Sequence, residues 1–200
     1  MFEARFSQGG LLKKILDSIR DLLRHATWDC GDRGMQLQCM DTSHVSLVSI
    51  FLSSEGFATY KCNKDVSMGM DLDSMAKVLR CSSKDDTVTV KAKDEEPDSV
   101  TFVFESSNSG KVSEYEMRLM NIEDENLTIP DTEYMATVKM PSIEFQRIVK
   151  DLSQFGEALV ITCTKQEIQF SVKGDLGSGN VRYGQISTPF PLLSTKEKDF

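Results

Sequence analysis

Two stretches of this chain lie over one another without a gap at an offset of 133 positions. Ile15 falls on Ile148, Ile19 on Leu152, Cys30 on Cys163, Gln36 on Gln169 and Leu37 on Phe170. The match holds first at helical and then at strand period, which marks an internal duplication; the rival is that any two helix–strand–strand units look alike. Two hundred residues suffice for one large domain or two small ones with a sizeable core. A duplicated chain of this length is expected to fold as two related units.

The repeated unit opens on a helix. Over residues 10–25, GLLKKILDSIRDLLRH, the 100° projection puts Leu12, Ile15, Ile19 and Leu22 on one face and Lys13, Arg20 and Arg24 nearly opposite. MAKVLR at 75–80 and FQRIVK at 145–150 read as shorter versions. Leu12, Met75 and Phe145 correspond, as do Lys14, Lys77 and Arg147, then Ile15, Val78 and Ile148. A single basic face is as well explained by solvation. Three helices with a cation at one repeat position point to a wall that meets an anion.

The net charge of −8 does not exclude that reading, because the charge is segregated. Between 119 and 134 stand Glu123, Asp124, Glu125, Asp131 and Glu133 without a base. Between 85 and 98 six acids face only Lys91 and Lys93. The charge is therefore divided between basic helices and acidic loops. No apolar run approaches the roughly 20 residues of a membrane helix, and MFEARFSQGG has no signal-peptide pattern. Five cysteines, odd in number and without close pairs, read as reduced thiols inside a cell.

Along the chain, strands are expected at 1–5, 27–32, 34–41, 44–52, 57–62, 87–93, 99–105 and 111–120. Residues 66–70 lead into a second helix at 72–81. The acidic, Pro130-containing stretch 119–134 reads as a linker between a first domain at 1–118 and a second at 135–200. The second holds a strand at 134–140, a helix at 142–155 with Ser142 as N-cap, strands at 158–163 and 168–173, a turn at 175–179 and a strand from 180. From about 186, ISTPFPLLSTKEKDF has no period and reads as a tail.

Catalytic chemistry is not expected. His25 and His44 lack a nucleophile or paired acid in a recognisable motif, and the acidic clusters lack ligand spacing, so neither metal nor cofactor is expected. No CxxC pair suggests zinc. GDLGSG is followed by neither lysine nor helix and reads as a hairpin turn rather than a phosphate loop. Phe51, Phe57, Phe102 and Phe104 read as core. A basic wall without aromatic platforms suits a duplex backbone, contacted without sequence preference.

MFEAR, LLKKIL, MDTSHVSLV (40–48), SEGF, YKC, MGMDL, KVSEYEMRLM, LTIPD and FQRIVKDLSQFG together resemble the proliferating cell nuclear antigen family of sliding DNA clamps. The resemblance runs from Met1 to about Gln185. It implies an α+β clamp fold, with duplicated helix–strand units and basic helices on one side of antiparallel sheets. It further implies a nuclear homotrimer, closed head to tail, that encircles double-stranded DNA as a polymerase processivity factor. DNA polymerases, the clamp loader and repair proteins would be its partners.

By position, the DNA-facing residues would be Lys13, Lys14, Arg20, Lys77, Arg80, Arg147 and Lys150. A pocket for Gln-x-x-aliphatic-x-x-aromatic-aromatic peptides would use Met40, His44, Val45 and Leu47 with Leu127, Ile129, Pro130 and Tyr134. Subunits would meet through Lys111, Val112, Ser113, Tyr115 and Met117 of one edge and Leu176, Val181 and Tyr183 of the other. Lys165 matches the site of ubiquitin-like modification. Members of the family continue past position 185 with a further helix and strands. Here that ground carries the divergent tail, so the second domain reads as incomplete, with Phe145, Ile148, Leu159, Ile161 and Phe170 expected to be exposed. The alternative function is an interaction module that binds clients or clamp subunits without encircling DNA.

Overall fold

The computed structural model describes residues 1–93, 97–106, 108–122, 127, 134, 136–164 and 166–184, and the backbone of 193–195. The chain divides into two compact units, Met1–Thr128 and Ile129–Phe200.

The first unit runs β1 (Phe2–Phe6), α1 (Gly9–Ile19), β2 (His25–Gly31), β3 (Gly34–Met40), β4 (Leu47–Ser53), β5 (Thr59–Cys62), β6 (Val66–Asp71), α2 (Leu72–Arg80), β7 (Thr87–Ala92), β8 (Ser99–Glu105) and β9 (Val112–Arg118). The strands form two antiparallel sheets, ordered β5-β1-β7-β8-β9 and β4-β3-β2-β6. Alternation explains them: in β1 and β2 every second side chain is buried, so each strand gives one face to the core. Phe2, Ala4, Trp28, Leu37, Met68, Val88, Val100 and Phe102 fill that core together with the apolar sides of α1 and α2.

Each helix start is built differently. Gln8 precedes α1 without a side-chain cap, and the amides of Gly9 and Gly10 donate to the carbonyls of Asp86 and Lys84 at 2.8 and 3.1 Å. At Gly9 any Cβ would lie 2.6 Å from the Val88 side chain, so glycine is required for that approach. Asp71 caps α2 by accepting from the Ser74 amide at 2.6 Å, while Lys77 and Arg80 complement the dipole in the last turn.

The helix α1 ends at Ile19, six residues short of the expected limit. Its buried side is Leu12, Leu16 and Ile19, with Ile15 half-buried. Beyond the helix the projection fails: Leu23 turns into the core at 2% exposure, and Leu22 stands 48% exposed. Residues 41–46, expected to open a strand at His44, form a turn before β4, and residues 66–71, read only as a lead-in, form β6. Phe51 is no core residue, with 58% of its surface open, whereas Phe102 and Phe104 are buried.

The second unit contains β10 (Ala136–Val138), α3 (Ser142–Leu152), β11 (Leu159–Cys163), β12 (Glu167–Gly174), β13 (Gly177–Gly184) and β14 (Leu193–Thr195). The N-cap of α3 is Pro141, and Ser142 is already helical. The stretch read as a structureless tail contributes β14, which pairs antiparallel with β10. β13 begins at Gly177, so the turn lies earlier than expected. Among the described residues, Ile148, Leu152, Ile168, Phe170 and Val172 form the second core.

The duplication holds at the level of strand register. In β2–β3, Trp28 pairs with Leu37, Asp29 with Gln36 and Cys30 with Met35. In β11–β12, Ile161 pairs with Phe170, Thr162 with Gln169 and Cys163 with Ile168, every partner displaced by the same offset. What differs is the outer neighbour. β2 pairs on its far side with β6, whereas β11 ends its sheet among the described residues. Trp28 is accordingly 1% exposed and its counterpart Ile161 is 53% exposed. Phe145 is likewise exposed although its equivalents Leu12 and Met75 are buried; Ile148 and Phe170, expected to be uncovered, are buried.

All five cysteines are without disulfides: Cys30 is buried, Cys39 and Cys62 are half-buried, and Cys81 and Cys163 are exposed. Burial pushes the Cys30 thiol well above its usual range. Among the described residues no helix is long and apolar enough to cross a membrane, and no group of three acidic, histidine or cysteine side chains could hold a metal ion.

Candidate functional site

Lys13, Arg20 and Arg80 of the first unit come together where α1 packs against α2. A cleft of about 260 Å³ between these helices is lined by Lys13, Asp17, Arg20 and Arg80 over Leu16, Ala76 and Leu79. Its basic residues are not equivalent. Lys13 is half-buried and its Nζ donates to the Ser82 carbonyl, linking α1 to the end of α2. Arg20 is half-buried, with Nε 3.4 Å from the Asp17 carboxylate one turn back. Lys14, Lys77 and Arg80 are exposed. Lys13 and Arg20 are thus partly committed to the fold, and the three exposed side chains carry charge into solvent.

In the second unit Arg147 and Lys150 lie exposed on α3. Arg147 reaches Asp151 at 3.8 Å, with both side chains largely in water, so this pair contributes little and yields readily to another anion. Lys14, Lys77 and Arg147, the set sharing one repeat position, are all exposed.

A different surface forms at the end of the β3–β4 hairpin. Residues 41–46 close on the Asp41 side chain. Its carboxylate accepts from the amides of Ser43, Val45 and Ser46 at 3.1, 2.9 and 2.6 Å, and from the Ser43 hydroxyl. These bonds, the Ser43 hydroxyl foremost, hold the Asp41 carboxyl well below the usual range. The closed turn forces His44 to φ 56°, a left-handed conformation uncommon outside glycine. It presents His44 and Val45, the latter 83% exposed, to solvent.

Beyond the turn Met40 pairs with Leu47, Gln38 with Ser49 and Gln36 with Phe51, so these side chains form ladders on one face of the sheet. Gln38 holds a distant segment there. Its Nε2 donates to the Leu127 carbonyl at 2.9 Å, and its Oε1 accepts from the Leu127 amide at 2.8 Å. The structure thereby brings Leu127 to the sheet that carries Met40 and Leu47. Tyr134 is exposed in the second unit, and Ile129, Pro130 and Lys165 lie outside the described residues. Gln38 and Asp41 escaped the sequence reading. The Asp41-Thr-Ser spacing is an Asx-turn signal that could have found one; period two from Met40 could have found the other.

Each unit also ends a sheet with an uncovered edge among the described residues: β9 in the first, β13 in the second. On β9, Lys111 just ahead and Val112 are exposed, Ser113 is half-buried, Tyr115 stacks on Phe104 at 5.4 Å, and Met117 is buried. Leu176 is exposed in the turn before β13, while Val181 and Tyr183 pack on the second core. The side chains of Met117, Val181 and Tyr183 are therefore engaged within their own units.

The sequence matches the model of the proliferating cell nuclear antigen N-terminal domain over residues 1–127 and that of the C-terminal domain over residues 128–189. The chain belongs to the proliferating cell nuclear antigen family. Family membership accounts for the α+β clamp architecture, its antiparallel sheets and its few helices. It assigns a sliding-clamp type of function in DNA replication, built on non-catalytic scaffold domains that have DNA and replication proteins as partners.

Proposed function

We propose that this chain is a subunit of a homotrimeric clamp that encircles double-stranded DNA in the nucleus and tethers polymerases, the clamp loader and repair proteins. The reading divides the chain into a first clamp domain at 1–118, a linker at 119–134 and a second domain from 135. The carrying observation is that Lys14, Lys77 and Arg147, equivalent in the repeat, all stand exposed on their helices. Together with Lys13, Arg20, Arg80 and Lys150 they would neutralise phosphates without reading bases. The edges of β9 and β13 suit head-to-tail strand addition, which closes a ring when the rotation allows. Met40, His44, Val45, Leu47 and Leu127, joined by Ile129, Pro130 and Tyr134, would receive the aliphatic and aromatic anchors of client peptides. Lys165 is the proposed attachment point for a ubiquitin-like modifier.

Replacing Lys14, Lys77 and Arg147 with Glu is expected to abolish retention on circular DNA, with client-peptide binding intact. Loss of peptide binding as well would make these residues structural and sink the basic-wall reading.

One observation favours the second reading, an interaction module that does not encircle DNA. Among the described residues of the second unit, Val160, Ile161 and Phe145 are exposed around β11. Light scattering separates the two. A particle of three times 22.5 kDa supports the ring, and a monomer supports the module.

A further inference from the structure

We infer that Gln38 is a positioning residue of the peptide site: its carboxamide fixes the main chain of Leu127 against the face that carries Met40 and Leu47. The inference rests on the peptide-site reading above and adds a residue that touches no client. Three observations carry it.

First, the two bonds are made to one residue's own N–H and C=O, at 2.8 and 2.9 Å, so the side chain pairs with Leu127 as a neighbouring strand would. Only one orientation of the amide satisfies both, since the flipped group would set donor against donor. Second, the pairing spans 89 positions of sequence, so it fixes a remote residue rather than closing a local turn. Third, Gln38 lies two residues from Met40 on the same strand face, and Met40 pairs directly with Leu47.

A client peptide meeting this surface finds Leu127 already in place. Without the two bonds Leu127 would have to be fixed on binding, and the affinity would fall by that cost. Both bonds sit at an exposed position, where each contributes modestly, so the expected loss is about tenfold in Kd rather than complete. Leu at 38 keeps the bulk and removes both bonds. Asn keeps the amide and withdraws it by one methylene, out of reach of Leu127.

The experiment uses the full chain, and its probe is a labelled synthetic peptide with Gln, Leu, Phe and Phe at the four pattern positions and Ser elsewhere. Peptide Kd and amide hydrogen exchange are read for the wild type, Gln38→Leu and Gln38→Asn. The expected result is about tenfold weaker binding in both variants, with faster exchange at Leu127 and unchanged exchange at Leu37 and Ile50. Wild-type affinity in both variants, with Leu127 exchange accelerated, would overturn the positioning role while the peptide site stood. Retained affinity in Gln38→Asn alone would also overturn it, since polarity and not reach would then matter. Accelerated exchange throughout β3 and β4 would show a merely structural role. Failure of the wild type to bind the probe would overturn the peptide site on which this role rests, and the DNA-retention test of the clamp would stand apart from it.

Discussion

Asp71 and Asp41 do the same work in different settings: Asp71 takes up one backbone amide and Asp41 three, which would otherwise point at solvent unpaired. For Asp71 the consequence is stability. Asp71→Ala removes the α2 cap and is expected to cost about 1 kcal/mol in chemical denaturation. The Asp71 carboxyl is held below its usual value, chiefly by Ser74. That contribution is therefore complete above the unfolded carboxyl value of roughly 3.9 and is lost as pH falls through the lower folded value. Asp71→Asn should retain most of the cap and remove this part of the acid sensitivity, which acid titration of the unfolding free energy checks. At this scale the sequence is half legible. Asp before a helical period announces a cap, and Asp-x-Ser announces a turn. That His44 must turn left-handed follows from four bonds converging on Asp41, which no spacing rule displays.

Among elements, α1 shows where periodicity informs and where it misleads. The 100° projection selects Leu12 and Ile19 correctly because they lie within the helix, and misassigns Leu22 because the helix has ended. Past Ile19 the chain turns with its own geometry and buries Leu23 instead. Leu23→Ala is expected to destabilise by about 2–5 kcal/mol. Leu22→Ala should stay within about 0.5 kcal/mol. Urea titration of the two variants distinguishes them, and equal effects would contradict the described burial. The strand pairs were legible in finer detail, since a gapless match preserved alternation through β2–β3 and β11–β12. β6 was not, because VSMGMD buries Val66, Met68, Gly69 and Met70 and so shows no clean alternation. Gly69 explains part of that pattern: its backbone bridges to Met120, and a Cβ there would lie 2.2 Å from the Met120 carbonyl oxygen.

For the whole molecule, the duplicated plan has been filled unequally. The first unit covers both sides of β2 and buries a continuous core; the second leaves β11 at the end of its sheet among the described residues and gathers five buried side chains. Native-state hydrogen exchange is expected to be slowest in β2, β3 and β8 and faster in β11, where local opening exposes less apolar surface. Equal protection in β2 and β11 would contradict that inequality. The duplication and the segregation of charge were legible because they are properties of order along the chain. The inequality of the two cores was not, because it depends on which strand a neighbour lacks.

The placement of the thiols has a practical consequence. Cys81 and Cys163 are exposed, one in each unit, while Cys30 is buried with its thiol held protonated. A limiting dose of maleimide dye at neutral pH will tag the exposed pair first. The chain therefore already carries anchor points for a molecular ruler, and energy transfer between two dyes would follow the distance between its halves as DNA or a client peptide is added.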